Sequence, residues 1–136
     1  MSQYHCYLLD TNIISDLMQN PQGKVAKQIS QVGEDAICTS IIVAGELEFG
    51  GQKNGSAKLK ERISVILSAI DVLDLEKPAE KKYGEIRAHL EKNGTPIGAN
   101  DLLIAAHAVS LGLCVVTRNV REFERVPGLR VENWLD

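Results

Sequence analysis

Asp10, Glu46 and Asp101 are the residues of this chain whose types and settings could do chemistry together. Asp10 directly follows two leucines in YLLDTN (7–12), so its charge stands at the edge of an apolar run, where desolvating a carboxylate is expensive. Glu46 sits in AGELEFG, and Asp101 opens the apolar run DLLIAAHAVSLG. Carboxylates gathered within a few ångströms repel one another, and burial raises their pKa values, so such a cluster calls for a cation. Mg²⁺ suits it, being hard, oxygen-seeking and content with one or two carboxylates while keeping waters. A metal-activated water beside a bridged phosphate is the chemistry of phosphodiester hydrolysis. Nothing else in the chain looks like a nucleophile with its base.

Each acid also has a plainer use. Asp10 fits a turn or helix cap, and Asp101 suits a helix N-terminus. Glu46 alone would read as a solvated helical residue, and Glu48 competes with it. Residues two apart on a helix point about 200° away from each other, so only one of these glutamates can face a site. The conjunction of acids, not any member, points to metal chemistry.

The elements that must position these residues alternate along the chain. YHCYLL (4–9), DAICT (35–39), DVLDL (71–75), LCVVT (113–117) and LRVEN (129–133) read as strands. A short helical turn is expected at 12–18, and Val25, Ile29 and Val32 have helical spacing in 22–33. Ser40 is a natural N-cap for a helix through IIVAGELEFG, closed by Gly50 and Gly51, with GQKNGS (51–56) an exposed loop. SAKLKERISVILSAI (56–70) carries Leu59, Ile63, Ile66, Leu67 and Ile70 on one face. A further helix runs from Pro78 to about Glu91, another ends at Gly112, and REFERVPG is a short turn of helix and loop. Strands separated by helices imply an α/β fold, a three-layer α/β/α sandwich with a mostly parallel central sheet. In such sheets ligands bind beyond the carboxyl ends of the strands. Asp10-Thr11-Asn12, Thr39-Ser40 with Glu46 beyond, and Thr117-Arg118-Asn119 all fall there, and Asn100-Asp101 begins the helix feeding the fourth strand.

With 136 residues, 44% apolar and 24% charged, residues 1–136 are expected to form a single domain of ordinary soluble composition. No run of about 18 apolar residues suggests a membrane span, and MSQYHCYLLD lacks the features of a signal peptide, so a cytoplasmic location is expected. Cys6, Cys38 and Cys114 each lie in an apolar stretch without CxxC spacing and read as buried, reduced thiols. His107 reads as a helix residue with a satisfied ring. A net charge of −3 argues against a uniformly basic coat but leaves room for a local basic rim.

In YLLDTNIIS, TSIIVAGELEFG and PIGANDLLIAAHAVSLGLCVVTRNVREFERVPGLRVENW the chain resembles the PIN-domain ribonucleases, and within them the VapC-type toxins of toxin–antitoxin pairs. The likeness covers essentially the whole length. It implies Asp10, Glu46 and Asp101 as the metal-binding and catalytic triad, with Glu46 chosen over Glu48 because the acid precedes Leu47. Asn119 stands where the family often has a fourth acid; this departure lowers the expected charge of the site and puts a tightly bound second metal in doubt. Thr11, Ser40 and Thr117 are expected to orient carboxylates or waters, and the Asn119 amide to hold a metal water or a phosphate. The resemblance further implies an endoribonuclease dependent on Mg²⁺ or Mn²⁺ that cuts RNA such as tRNA, notably the initiator tRNA anticodon loop, and inhibits translation. It also implies a homodimer, a cognate antitoxin that neutralises it, and operator DNA met only through that antitoxin.

Lys53, Lys58, Lys60, Arg62, Arg118, Arg121 and Arg125 could hold RNA phosphates around the acids, or simply form a solvated mixed-charge face. Helix 56–70 would most simply bury its apolar stripe in the core; extra exposed apolar surface there would suit a dimer or antitoxin groove. An aspartate-nucleophile phosphatase would want a second Asp where Asn12 stands, and a receiver domain would want a Lys where Arg118-Asn119 stand. The remaining alternative is a PIN domain that binds RNA or a partner without cutting.

Overall fold

The structure, a computed structural model, describes residues 5–136. Five strands form one parallel sheet in the order β3-β2-β1-β4-β5. In chain order the elements are β1 (Tyr7–Leu9), α1 (Thr11–Gln19), α2 (Lys24–Val32), a 3₁₀ turn (Glu34–Ala36), β2 (Ile37–Ser40), α3 (Ile41–Asn54), α4 (Ala57–Ala69), β3 (Val72–Leu73), α5 (Ala79–Lys92), α6 (Ala99–Leu111), β4 (Cys114–Val116), α7 (Val120–Phe123) and β5 (Val131–Glu132). The strand order runs outward from β1 through β2 to β3, then returns to the other side of β1 for β4 and β5. Parallel crossovers share one hand, so this reversal puts the connections before and after β3 on opposite faces. Leu8, Leu9, Val115 and Val116 are fully buried in consequence, as strands covered on both sides must be. The expected three-layer α/β/α sandwich is the observed one.

Strands are shorter than their sequence patterns. The first covers Tyr7–Leu9 where 4–9 was expected, and Tyr4 lies outside the described residues. The expected helical turn at 12–18 is a full helix, α1, begun by Asp10 as its N-cap. Ser40 caps α3 as expected, accepting from the Ile42 N–H at 3.1 Å.

Gly50 and Gly51 do not close α3: the helix runs on to Asn54, so most of the expected 51–56 loop is helical. Gly55 ends it in the left-handed region, at φ 77°. Gly51 is buried, and a Cβ there would meet Ile63 Cδ1 at 3.0 Å, so its smallness lets α4 lie close against α3. Of the apolar face expected on helix 56–70, Ile63 and Ile70 are buried, while Leu59, Ile66 and Leu67 are only half-buried. Cys38 and Cys114 are buried, and burial pushes their thiols up to about 12 and about 11; Cys6, against expectation, is exposed. Among the described residues no helix is long and apolar enough to cross a membrane.

Candidate active site

The sheet reverses its direction of growth between β1 and β4, the place where a ligand crevice opens at the strands' carboxyl ends. Asp10 and Thr117 are the residues that leave these two strands, and they meet there. The Thr117 hydroxyl donates to Asp10 Oδ2 at 2.7 Å, while the Thr11 N–H donates to Oδ1 at 2.8 Å. Asp10 therefore caps α1 and also offers a carboxylate at the crevice, so the two uses weighed for it coexist. It is only 2% exposed. Burial pushes its carboxyl above the usual range, Thr117 and Thr11 oppose that rise, and Glu46 and Glu122 add to it.

Glu46 arrives from α3, whose Val43, Leu47 and Gly51 are buried while Glu46 stays half-exposed at the edge of that face. The Thr11 hydroxyl donates to its Oε1, and the Asn100 amide donates to Oε2 at 3.2 Å. Thr11 thus joins two acids, its backbone to Asp10 and its side chain to Glu46. Glu48 is exposed and takes no part.

Asp101 stands in the first turn of α6, which begins after Gly98 without a side-chain cap. Asp101 hydrogen-bonds to Glu122, and two carboxyls can do so only by sharing a proton. Burial first, then Glu122, Asp10 and Glu46, push Asp101 up to about 8. Glu122 is held below its usual range by Asp101's hydrogen bond, by the Gly98 N–H at 2.7 Å and by the charge of Arg125. The two neighbouring carboxyls thus push each other apart, Asp101 upward and Glu122 downward.

A fourth carboxyl, Glu122, unassigned from sequence, reaches Asp101 from one turn beyond Asn119, brought back over the start of α6 by α7. Its only local signal is a spacing of three from the strand-end Asn119, within REFE. Asn119 itself gives its backbone N–H to Thr117 Oγ1 at 3.0 Å. Asn12 and Asn100, unassigned from sequence, also serve: Asn12 Oδ1 accepts from the Arg118 N–H at 2.9 Å, tying the β4 exit to α1.

Ser40 is not beside the carboxylates' oxygens. Its hydroxyl caps α3 and lies 2.8 Å from His107 Nδ1. His107 is buried, which pushes its pKa down; the ring is satisfied on one side only, for Nε2, lying toward the Asp74 backbone, meets no partner in hydrogen-bonding geometry. Among the described residues none of the expected RNA-binding cations forms an ion pair with a site carboxylate. Lys53 lies in the last turn of α3, and Lys60 packs beside Gly51. Lys58 and Arg62 rim an open groove of about 650 Å³ between α4 and the far end of α1, lined by Leu17, Met18, Pro21 and Val65.

The donor set suits a hard divalent cation. Every candidate ligand is an oxygen, and the site's own electrostatics protonate Asp101 for want of compensating charge. No group of three acids among the described residues is arranged to hold one ion directly. That fits a cation bound by one or two carboxylates, with water reaching the others.

Comparison with known proteins places this geometry in context. A family model described as PIN domain matches residues 7–129. The chain is 40% identical over 132 residues to the tRNA(fMet)-specific endonuclease VapC of Shigella flexneri, covering 94% of this chain and 97% of that protein. It is 40% identical over 132 residues to Ribonuclease VapC2 of Haemophilus influenzae strain Rd, covering 95% and 98%. Among solved structures it is similar to VapBC2 from Rickettsia felis bound to a DNA fragment from their promoter, with a TM-score of 0.87, 34% identity and coverage of 95% and 98%. It is similar also to the DNA-bound VapBC from Salmonella typhimurium, with a TM-score of 0.85, 38% identity and coverage of 96% and 98%.

Proposed function

The chain belongs to the PIN domain family, and we propose that it is a divalent-metal-dependent endoribonuclease, the toxin of a toxin–antitoxin pair. The observation that carries this reading is the convergence of Asp10, Glu46, Asp101 and Glu122 at the sheet's switch point. Relatives named as tRNA(fMet)-specific endonucleases support tRNA as substrate; the initiator tRNA anticodon loop as the cut region and arrest of translation as the outcome are what the family resemblance implies.

Asp10 and Glu46 would hold Mg²⁺ or Mn²⁺, the former carboxylate fixed by Thr117 and the latter by Thr11 and Asn100. When bound, the cation supplies Lewis-acid polarisation of the scissile phosphate and a water of lowered pKa. This chain's residues supply position and proton storage. The Thr117 and Thr11 bonds favour the ionised form of Asp10 against the burial that raises its pKa. Asp101 and Glu122, adjoining carboxyls beside Gly98, are the groups of the cluster that could take a proton from an attacking water or return one to a leaving oxygen.

The structural neighbours that are DNA-bound VapBC complexes support a cognate antitoxin and a complex that meets promoter DNA; DNA contact through the antitoxin and a toxin homodimer are what the family resemblance implies. The groove between α1 and α4 offers an antitoxin segment an apolar floor with Lys58, Glu61 and Arg62 at its rim. Purified chain incubated with labelled tRNA should cleave it in Mg²⁺ and not in EDTA. Asp10→Ala and Asp101→Asn should abolish cleavage without loss of fold. Cleavage of equal strength in EDTA, or by both variants, would remove the metal-dependent reading. Intact RNA bound but never cut would favour the non-cleaving alternative.

A further inference from the structure

We propose that Phe49, backed by Lys53, is a stacking subsite for an unpaired nucleobase of the RNA, one helical turn from Glu46; this rests on the endoribonuclease reading. Glu46, Phe49 and Lys53 are spaced three and four apart on α3 and so continue one face of it. Phe49 is 67% exposed, an unusual place for a Phe ring, and the helical rise sets its Cα about 4.5 Å along the axis from that of Glu46. Lys53 Nζ lies 6.0 Å from the ring centroid, where a cation steadies the π face and remains free for a phosphate.

The glycines of α3 supply an independent observation. Gly51 is accounted for by the approach of α4, but a Cβ at Gly45 or at Gly50 would meet nothing within 4 Å. Packing therefore requires neither, and each weakens the helix relative to alanine. Aromatic side chains on helices lean toward the preceding turn, which here holds Gly45 and Glu46. No Phe49 atom comes within 4 Å of a Gly45 Cβ, so that exposed turn is bare and open beside the exposed Phe49. A planar base fits there with its phosphate toward Lys53, the combination by which single-stranded RNA is gripped. A protein partner is the poorer occupant, because Glu48 and Gln52 around the ring are exposed and polar, and the broad apolar groove lies elsewhere, between α1 and α4.

The test uses the full chain in an Asp101→Asn background and a fluorescein-labelled initiator tRNA anticodon stem-loop, with Mg²⁺, read by anisotropy. Phe49→Ala should raise Kd between about fivefold and a hundredfold, the range for losing one stacked base. Phe49→Leu should lose as much, since it keeps apolar bulk but no π face, whereas Phe49→Trp should bind at least as well as Phe49. Gly45→Leu should raise Tm, by improving the helix, and yet weaken RNA binding. An unchanged Kd for Phe49→Ala, or parental binding by Phe49→Leu, would overturn the subsite while leaving the nuclease reading untouched. A parent chain that neither binds nor cuts this RNA would overturn both.

Discussion

Replacing Thr117 by valine tests the reasoning at the centre of the site, because the two side chains have nearly one shape and differ in a hydroxyl. Thr117 is fully buried, and its hydroxyl donates to the buried Asp10 carboxylate at 2.7 Å while accepting from the Asn119 N–H at 3.0 Å. A hydrogen bond to a charged group is worth about 1.5–3 kcal/mol, and its loss leaves Asp10 Oδ2 with only the long 3.5 Å contact to Asn12. A destabilisation of about 2 kcal/mol follows, which for a chain of this size is a fall in Tm of roughly 6–10 °C. The cost depends on pH. Thr117 lowers the pKa of Asp10 against the upward push of burial, so Thr117→Val raises that pKa further. The difference between the two proteins is smallest where Asp10 is protonated in both and largest where it is ionised in both, so it widens as pH rises. Urea unfolding in EDTA, followed by the fluorescence of the buried Trp134, the only tryptophan, measures it. Mg²⁺ affinity should fall about 10- to 100-fold, as when an orienting partner of a ligand is removed. Thr117→Ser should restore both. A stability gap that stays level from pH 3.5 to 8, or a serine variant as damaged as the valine one, would refute the account.

Three further outcomes are expected. In EDTA the protein should lose Tm as pH rises from about 4 to about 8 and level off above that: Asp101 is raised to about 8, so the fold holds its proton more tightly than the unfolded chain does and loses that advantage through the folded pKa. Glu122, with its lowered pKa, contributes in the opposite sense only on the acid side; Mg²⁺ should flatten the slope between pH 5 and 8, as a calorimetric pH series will show. Glu122→Gln should flatten the same slope, by removing the charge that lifts Asp101, and should cut tRNA cleavage at least tenfold in a single-turnover assay. Gly51→Leu should cost about 1–3 kcal/mol by forcing Ile63 from α3, whereas Gly50→Ala should gain about 0.5–1 kcal/mol, both read by urea denaturation.

Much of this molecule follows from local pattern. The alternation of apolar runs with helical spacing specifies a parallel α/β sheet, because strands buried on both faces and amphipathic crossover helices have no other economical packing. Ser40 as a cap and Gly112 as a helix end are likewise local, set by side-chain chemistry and by the left-handed backbone. The types and order of Asp10, Glu46 and Asp101 are legible because each acid interrupts an apolar context. The tertiary structure alone decided the rest. Gly50 and Gly51 look like a helix end in the sequence and are helix interior in the fold, because α4 packs against the bare surface of Gly51 and α3 continues beneath it. Glu122 has only its spacing of three from Asn119 to separate it from a solvated glutamate. It becomes a partner of Asp101 only when the chain leaving β4 turns back over the start of α6, and a carboxyl's role is set by the charges it meets there rather than by its neighbours along the chain.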